Sequence, residues 1–261
     1  MKALVVAALA AMPLFAAEVP VPGATLVNAI KSGQRSTAID LIANKSVDVN
    51  VAEADGSTPL LWAAHSNDTD LVTRLLKVGA RPTVRNRLGS TPLLEAAFNA
   101  NTEAIKALLD AGADPKAAGA DGETPLMLVA RSGNVAAAKL LLDKGADPNV
   151  RETRRGQTAL MWAAAASHGP TMRELLARGA QADAASDTDL MTPLVSAEPR
   201  AQPRPPGGMT AMLFSAREGC MDCVKGLVDH GAKLDLADPE GVTPLISALF
   251  NAHFDVAKYL I

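Results

Sequence analysis

A segment of about 33 residues recurs along this chain, and a chain that repeats itself at such a period stacks its copies in a row instead of wrapping one central core. The stretch from Thr58 to Ala80, TPLLWAAHSNDTDLVTRLLKVGA, shows the unit most fully. Its threonine returns as Thr91, Thr124, Thr158, Thr210 and Thr243, at steps of 33, 33, 34, 52 and 33 residues, each followed by Pro or Ala and then Leu or Met. Seventeen and eighteen residues after each threonine stands an apolar pair: Leu75-Leu76, Leu108-Leu109, Leu141-Leu142, Leu175-Leu176, Leu227-Val228 and Leu260-Ile261. Gly-Ala begins four residues after the first member of each of the first five pairs.

Each unit reads as two short helices. Threonine is a good N-cap, and Pro suits the first turn because its missing N–H would be unpaired there. A first helix of about nine residues then runs to a turn at Asn67, Ala100, Gly133, Ser167, Gly219 and Ala252. That turn needs positive φ, which Gly adopts freely, Asn tolerates, and Ala and Ser resist. The second helix buries its apolar pair and ends at Gly79, Gly112, Gly145, Gly179 and Gly231, as left-handed C-caps. Between units, Asp55-Gly56, Leu88-Gly89, Asp121-Gly122 and Glu240-Gly241 are turn signals for a projecting finger. Helices this short are marginal alone, so stacking must hold them. Trp62 and Trp162, four residues after their threonines, fall at helical spacing and are expected in the core.

The 33-residue period, Thr-Pro-Leu, two small residues five and six on, the apolar pair and Gly-Ala together resemble the ankyrin repeat, over about residues 24 to 261, and the N-terminus points to the bacterial exported type. The resemblance implies an all-α ankyrin-repeat solenoid of stacked helix-turn-helix pairs with β-turn fingers, in about seven repeats starting near 24, 57, 90, 123, 157, 209 and 242. The histidine that this family places after Thr-Pro-Leu is replaced by Leu61, Leu94, Met127, Met161, Leu213 and Ile246, which predicts a more apolar seam. Ala24 to Asn50 is a degenerate first repeat, as expected of a terminal cap. Thr192-Pro193-Leu194 imitates a repeat start, but Pro199, Pro203, Pro205 and Pro206 forbid a helix after it. The 52-residue step therefore reads as a finger expanded by a Pro-rich insertion at 186–206, long enough to be either functional or disordered. No Gly-Ala follows the last apolar pair, Leu260-Ile261, and Phe250, Phe254 and Tyr259 lie nearby, so the last repeat is expected to self-associate or to belong to a longer array.

The N-terminus, MKALVVAALAAMPLFAAEVPVPG, has Lys2, an apolar run and a Pro-rich break. It reads as a secretory signal over 1–17 and a linker over 18–23, with a periplasmic or secreted destination. Its apolar run of about 15 residues is shorter than the roughly 20 that a membrane span needs, so the mature chain is expected to lack a span. A net charge of −3 offers no basic field for a phosphate backbone, and nucleic acid is excluded as the expected partner.

Catalytic motifs are missing. No nucleophile elbow, phosphate loop or dinucleotide fingerprint occurs, and His65, His168, His230 and His253 fall at unrelated repeat positions, where they are expected on the surface. No enzyme activity and no cofactor or metal is expected. Cys220 and Cys223 form the one C-x-x-C, with neither the following His of haem attachment nor two further ligands for zinc. They read as a local disulfide or as two small apolar fillers, with a thiol–disulfide or stress-protection role as the alternative function.

The expected function is a non-catalytic scaffold that binds a protein partner. The resemblance places the recognition surface on the finger tips and on the first-helix positions seven and eight after each threonine. Here these are Ala54, Asp55, Ser57, His65 and Ser66, then Arg87, Leu88, Ser90, Phe98 and Asn99. They continue as Asp121, Glu123, Arg131 and Ser132, then Arg154, Arg155 and Gln157, then Arg217 and Glu218, and finally Pro239, Glu240, Phe250 and Asn251. Arg and aromatic side chains in such a strip are anchor types.

Overall fold

The computed structural model describes residues 22–44, 46–188 and 207–261. The expected signal segment, residues 18–21 of the linker and residues 189–206 of the insertion lie outside them. Fourteen α-helices form seven pairs among the described residues: α1 (Pro22–Lys31) with α2 (Arg35–Ala43), α3 (Pro59–His65) with α4 (Thr69–Lys77), and α5 (Pro92–Phe98) with α6 (Thr102–Asp110). Next come α7 (Pro125–Ser132) with α8 (Val135–Asp143), α9 (Ala159–Ala165) with α10 (Gly169–Ala177), α11 (Ala211–Arg217) with α12 (Met221–Asp229), and α13 (Pro244–Phe250) with α14 (Phe254–Tyr259). The first helix opens at Pro22, two residues before the expected repeat start. The later first helices are seven or eight residues long, a turn shorter at most than the spacing predicts.

The local signals act as their chemistry requires. Each repeat threonine hydroxyl accepts the backbone N–H three residues on, at 3.3 Å for Leu61 and 3.2 Å for Leu94 and Leu213. The turns between paired helices are left-handed whether or not they carry glycine: φ is 58° at Asn67, 51° at Ala100, 60° at Ser167 and 59° at Ala252. Holding an alanine or serine there costs about 1–2 kcal/mol of backbone strain, which the surrounding packing has to outweigh.

Odd-numbered helices stack on odd and even on even, so the molecule is two helical layers joined along one apolar strip. The first leucine of each of the first five pairs, Leu75, Leu108, Leu141, Leu175 and Leu227, is fully buried, and Leu260 of the last pair is nearly so. The substituted seam is apolar and buried from Leu61 to Leu213, as expected, and only Ile246 in the last repeat is half-buried. Small residues such as Ala63, Ala96 and Ala163 are also fully buried and let the helices approach closely.

Polar ladders tie each repeat to the next. Asn101 caps α6 and also donates from Nδ2 to Asn67 Oδ1 at 2.6 Å and Thr69 Oγ1 at 2.9 Å. Asn134 does the same for α8, with Nδ2 reaching Ala100 O and Thr102 Oγ1. His168 stands at this position without capping α10; its Nε2 lies 3.0 Å from Arg131 O, and its ring covers the open face of Gly133. His253 covers Gly219 in the same way. These two histidines were expected as plain surface residues, and the structure makes them inter-repeat contacts. The glycine at 133 or 219 leaves the space that the imidazole fills.

The insertion leaves the array in register. Ser186 N donates to Met209 O at 2.9 Å, the place that Asn86 N to Ser90 O holds in an ordinary finger, and Ala185 and Thr210 form an antiparallel bridge. Asp187 N donates to Arg155 O at 2.7 Å, as Arg87 N does to Asp55 O. Beyond it, Lys233 N donates to Asp183 Oδ1, as Gln181 N does to Asn149 Oδ1. In the last repeat Phe250, Phe254 and Ile261 are 78%, 67% and 94% exposed, while Val256 and Ala257 are buried. Among the described residues, no helix is long and apolar enough to cross a membrane.

Candidate functional site

Fingers meet the odd-numbered helices: Glu53 accepts from Trp62 of α3, Ser90 donates to Glu95 of α5, and Gln157 shares a pocket with Arg131 of α7 and Trp162 of α9. Ordinary fingers close on a backbone hydrogen bond between residues four apart, Glu53 N to Ser57 O, Asn86 N to Ser90 O, Gly119 N to Glu123 O and Asp238 N to Val242 O. The finger before Thr158 is one residue longer and closes from Glu152 N to Gln157 O. Its carboxylate is buried, and it accepts from the backbone N–H groups of Arg154, Arg155 and Gln157 at 2.6, 2.9 and 2.9 Å. This arrangement holds Arg154 and Arg155 outward as an exposed pair.

The other finger residues divide by depth. Arg87, Leu88, Asp121, Pro239 and Glu240 are exposed tips. Asp55 is half-buried, and its carboxylate accepts from the backbone N–H and the hydroxyl of Ser57, which holds it below the usual carboxylate range. Ser57 itself is buried, donating to Asp55 and accepting from Asn86 Nδ2 at 3.1 Å. It is therefore withdrawn from the recognition surface: a hydroxyl closed in by two fingers cannot meet a partner. Ser90 and Glu123 are half-buried at finger bases; Ser90 donates to Glu95, and Glu123 accepts from Asp121 N.

Along the first helices, the seventh position after each threonine forms a row: His65, Phe98, Arg131, Ala165, Arg217 and Phe250. His65 Nδ1 meets Glu95 Oε2 at 2.9 Å. Phe98 is 62% exposed, and Arg217 lies over the Phe214 ring and pairs with Glu218. At the eighth position Ser66, Ser132, Glu218 and Asn251 are exposed, while Asn99 is half-buried because its Nδ2 donates back to Ala64 O and His65 O and so closes the end of α3.

At the centre of this row, the Arg131 guanidinium lies between two rings, 5.7 Å from Phe98 and 5.2 Å from Trp162. Beside it a pocket of about 320 Å³ is lined by Arg131, Gln157, Trp162, Ala165 and Ala166. Two expectations change here. Trp62 and Trp162 are half-buried at the groove, not enclosed in the core. The helical period reports only that a position lies near the core, and here the position four after Thr sits at its edge. Trp62 donates its indole N–H to Glu53 at 2.6 Å and carries Lys31 over its ring at 4.6 Å.

Away from the groove, Cys220 and Cys223 form a disulfide at the start of α12. Cys223 is fully buried, and Cys220 Sγ accepts from Cys223 N as the N-cap of the helix. Among the described residues, no cluster of His, Cys, Asp and Glu has the spacing to hold a metal ion.

Comparison with known proteins adds a family. The family model for ankyrin repeats in three copies matches residues 26–119, 112–186 and 182–261. Protein phosphatase 1 regulatory subunit 27 of Homo sapiens is 39% identical over 56 residues, 22% of this chain and 36% of the relative. Notch-regulated ankyrin repeat-containing protein A of Danio rerio is 43% identical over 56 residues, 22% of this chain and 50% of the relative. The chain thus spans between about a third and a half of these relatives. Among solved structures, the human ASB11 ankyrin repeat domain superposes with a TM-score of 0.71 at 20% identity, over 90% of this chain and 97% of that one.

Proposed function

The chain belongs to the ankyrin repeat family, and we propose that it is a non-catalytic scaffold that binds a protein partner through its finger tips and the groove beside them. The observation that carries this is the Phe98–Arg131–Trp162 stack, which places an exposed aromatic ring, a guanidinium and an indole at the centre of one face. Such side chains dominate binding energy where they cluster at the middle of an interface. The helices behind them are locked by buried leucines and inter-repeat ladders, so little order has to be gained on binding. The test is proximity capture with the full chain as bait. Proteins recovered with the wild type should be lost with Phe98→Ala combined with Arg131→Ala, while the thermal melt stays within a few degrees; equal recovery by both baits rejects the groove as the site.

The bacterial exported type is part of the same proposal, supported by the character of residues 1–17 and by a disulfide of the kind that persists in oxidising compartments. A mature N-terminus near Glu18 in a periplasmic or culture fraction is the expected result, and an intact Met1 with reduced cysteines in the cytosol would reject it. Self-association through the exposed Phe250 and Phe254 also belongs to it. Sedimentation of the wild type against Phe250→Ser decides that point, with a monomer at every concentration counting against it. The Cys220–Cys223 pair is read as a local staple. A thiol-exchange role would instead show as a measurable turnover of small disulfides that Cys220→Ser abolishes.

A further inference from the structure

Trp62 and Trp162 stand at the same repeat position, but their indole N–H groups meet different fates. Trp62 Nε1 donates to Glu53, a finger residue nine positions earlier. Nine positions before Trp162 is Thr153, because the finger there carries one extra residue and its glutamate is Glu152. Both Glu152 oxygens are already bound to the backbone N–H groups of their own finger. Trp162 Nε1 is left buried with no hydrogen-bond partner, an uncommon condition for a buried donor.

The pocket beside it is rich in donors. Arg131 enters none of the ion pairs formed by the described residues, and its guanidinium rests on rings instead. Gln157 lines the mouth, and Ala165 and Ala166, where other repeats carry larger side chains, leave the floor open. A guanidinium, an amide and the indole ring that carries the unpartnered N–H line this pocket. The complementary group is an acceptor that carries negative charge, on a short apolar stem.

We propose that this pocket receives a glutamate or aspartate side chain from an acidic segment of the protein partner, paired with Arg131 and drawing on the unpartnered Trp162 N–H. The one-residue lengthening of the finger makes the pocket, because it moves the internal carboxylate off the tryptophan that the shorter finger of Trp62 keeps satisfied. This inference rests on the scaffold reading and specifies the chemistry of its central contact.

The probe is a fluorescein-labelled, end-blocked peptide of alternating glutamate and leucine, titrated against the full chain by anisotropy, beside the same peptide with glutamine for glutamate. The glutamate peptide should bind at least about tenfold more tightly. Arg131→Ala should remove that preference, and Trp162→Phe, which keeps a ring and deletes the N–H, should weaken binding severalfold. Trp62→Phe should leave it unchanged. Equal affinity for the two peptides, absence of binding at millimolar peptide, or full affinity in Arg131→Ala overturns the proposal. If the peptide preference fails while groove-dependent capture of a protein persists, the acidic specificity is wrong and the scaffold reading stands.

Discussion

At the scale of single residues, what distinguishes this chain from an even array is how each repeat meets its neighbour. Trp62 and Trp162 occupy one register position, yet one indole is satisfied and the other is not. Trp62→Phe should cost about 1.5 kcal/mol, the low end for a hydrogen bond to a charged group, whereas Trp162→Phe should cost nothing measurable or stabilise the free protein. Urea denaturation of the two variants beside the wild type checks this, and equal losses would contradict it. The threonine caps, the buried leucines and the left-handed glycines were legible in the sequence because each depends on contacts within one repeat. Ser57, His168 and the two tryptophans were not. Their burial or exposure is set by a residue one repeat away, Asn86 for Ser57 and Gly133 for His168, and a period of 33 says nothing about such a pairing.

At the scale of elements, α12 differs from its counterparts in being capped by a cysteine that is also bonded to the helix it begins. Closing so short a loop removes little freedom from the unfolded chain, and the loop-entropy argument puts the gain at roughly 2 kcal/mol, the low end for a disulfide. Reduction, or Cys220→Ser with Cys223→Ala, should lower the urea midpoint by a corresponding amount without unfolding the array; an unchanged midpoint on reduction would show that packing of Cys223, not the bond, holds the helix start. The prolines of the insertion gave the expectation of an expanded finger, and they lie in residues 189–206, outside the described ones. Its clean closure, Ser186 against Met209, follows from a finger hydrogen bond that the sequence does not advertise.

At the scale of the whole molecule, stability is a sum over neighbouring repeats, and charge contributes to it at several joints. Asp70 and Asp110 are held below the usual carboxylate range, Asp70 chiefly by the hydrogen bond from Arg74 and Asp110 by those from Lys106 and Lys144, and Lys144 belongs to the following repeat. Asp55 is held down by Ser57. A carboxylate lowered in the folded state adds stability above its unfolded value of 3.8 and loses it as pH falls through the lowered folded value. The melting temperature should therefore be level from neutrality to about pH 4 and fall below that, with a shallower fall in Asp110→Asn. Asp110 is exposed and Asp55 and Asp70 are only half-buried, so added salt should reduce the effect.

The central claim is that one face, made by fingers and odd-numbered helices, is where this protein meets its partner. Hydrogen exchange of the full chain, free and bound to the captured partner, tests it most directly. Protection on binding should fall on the fingers around Arg87, Asp121 and Arg154 and on the ends of α5, α7 and α9 near Phe98, Arg131 and Ala165. Protection confined to the even-numbered helices, or to residues 189–206 alone, would contradict it.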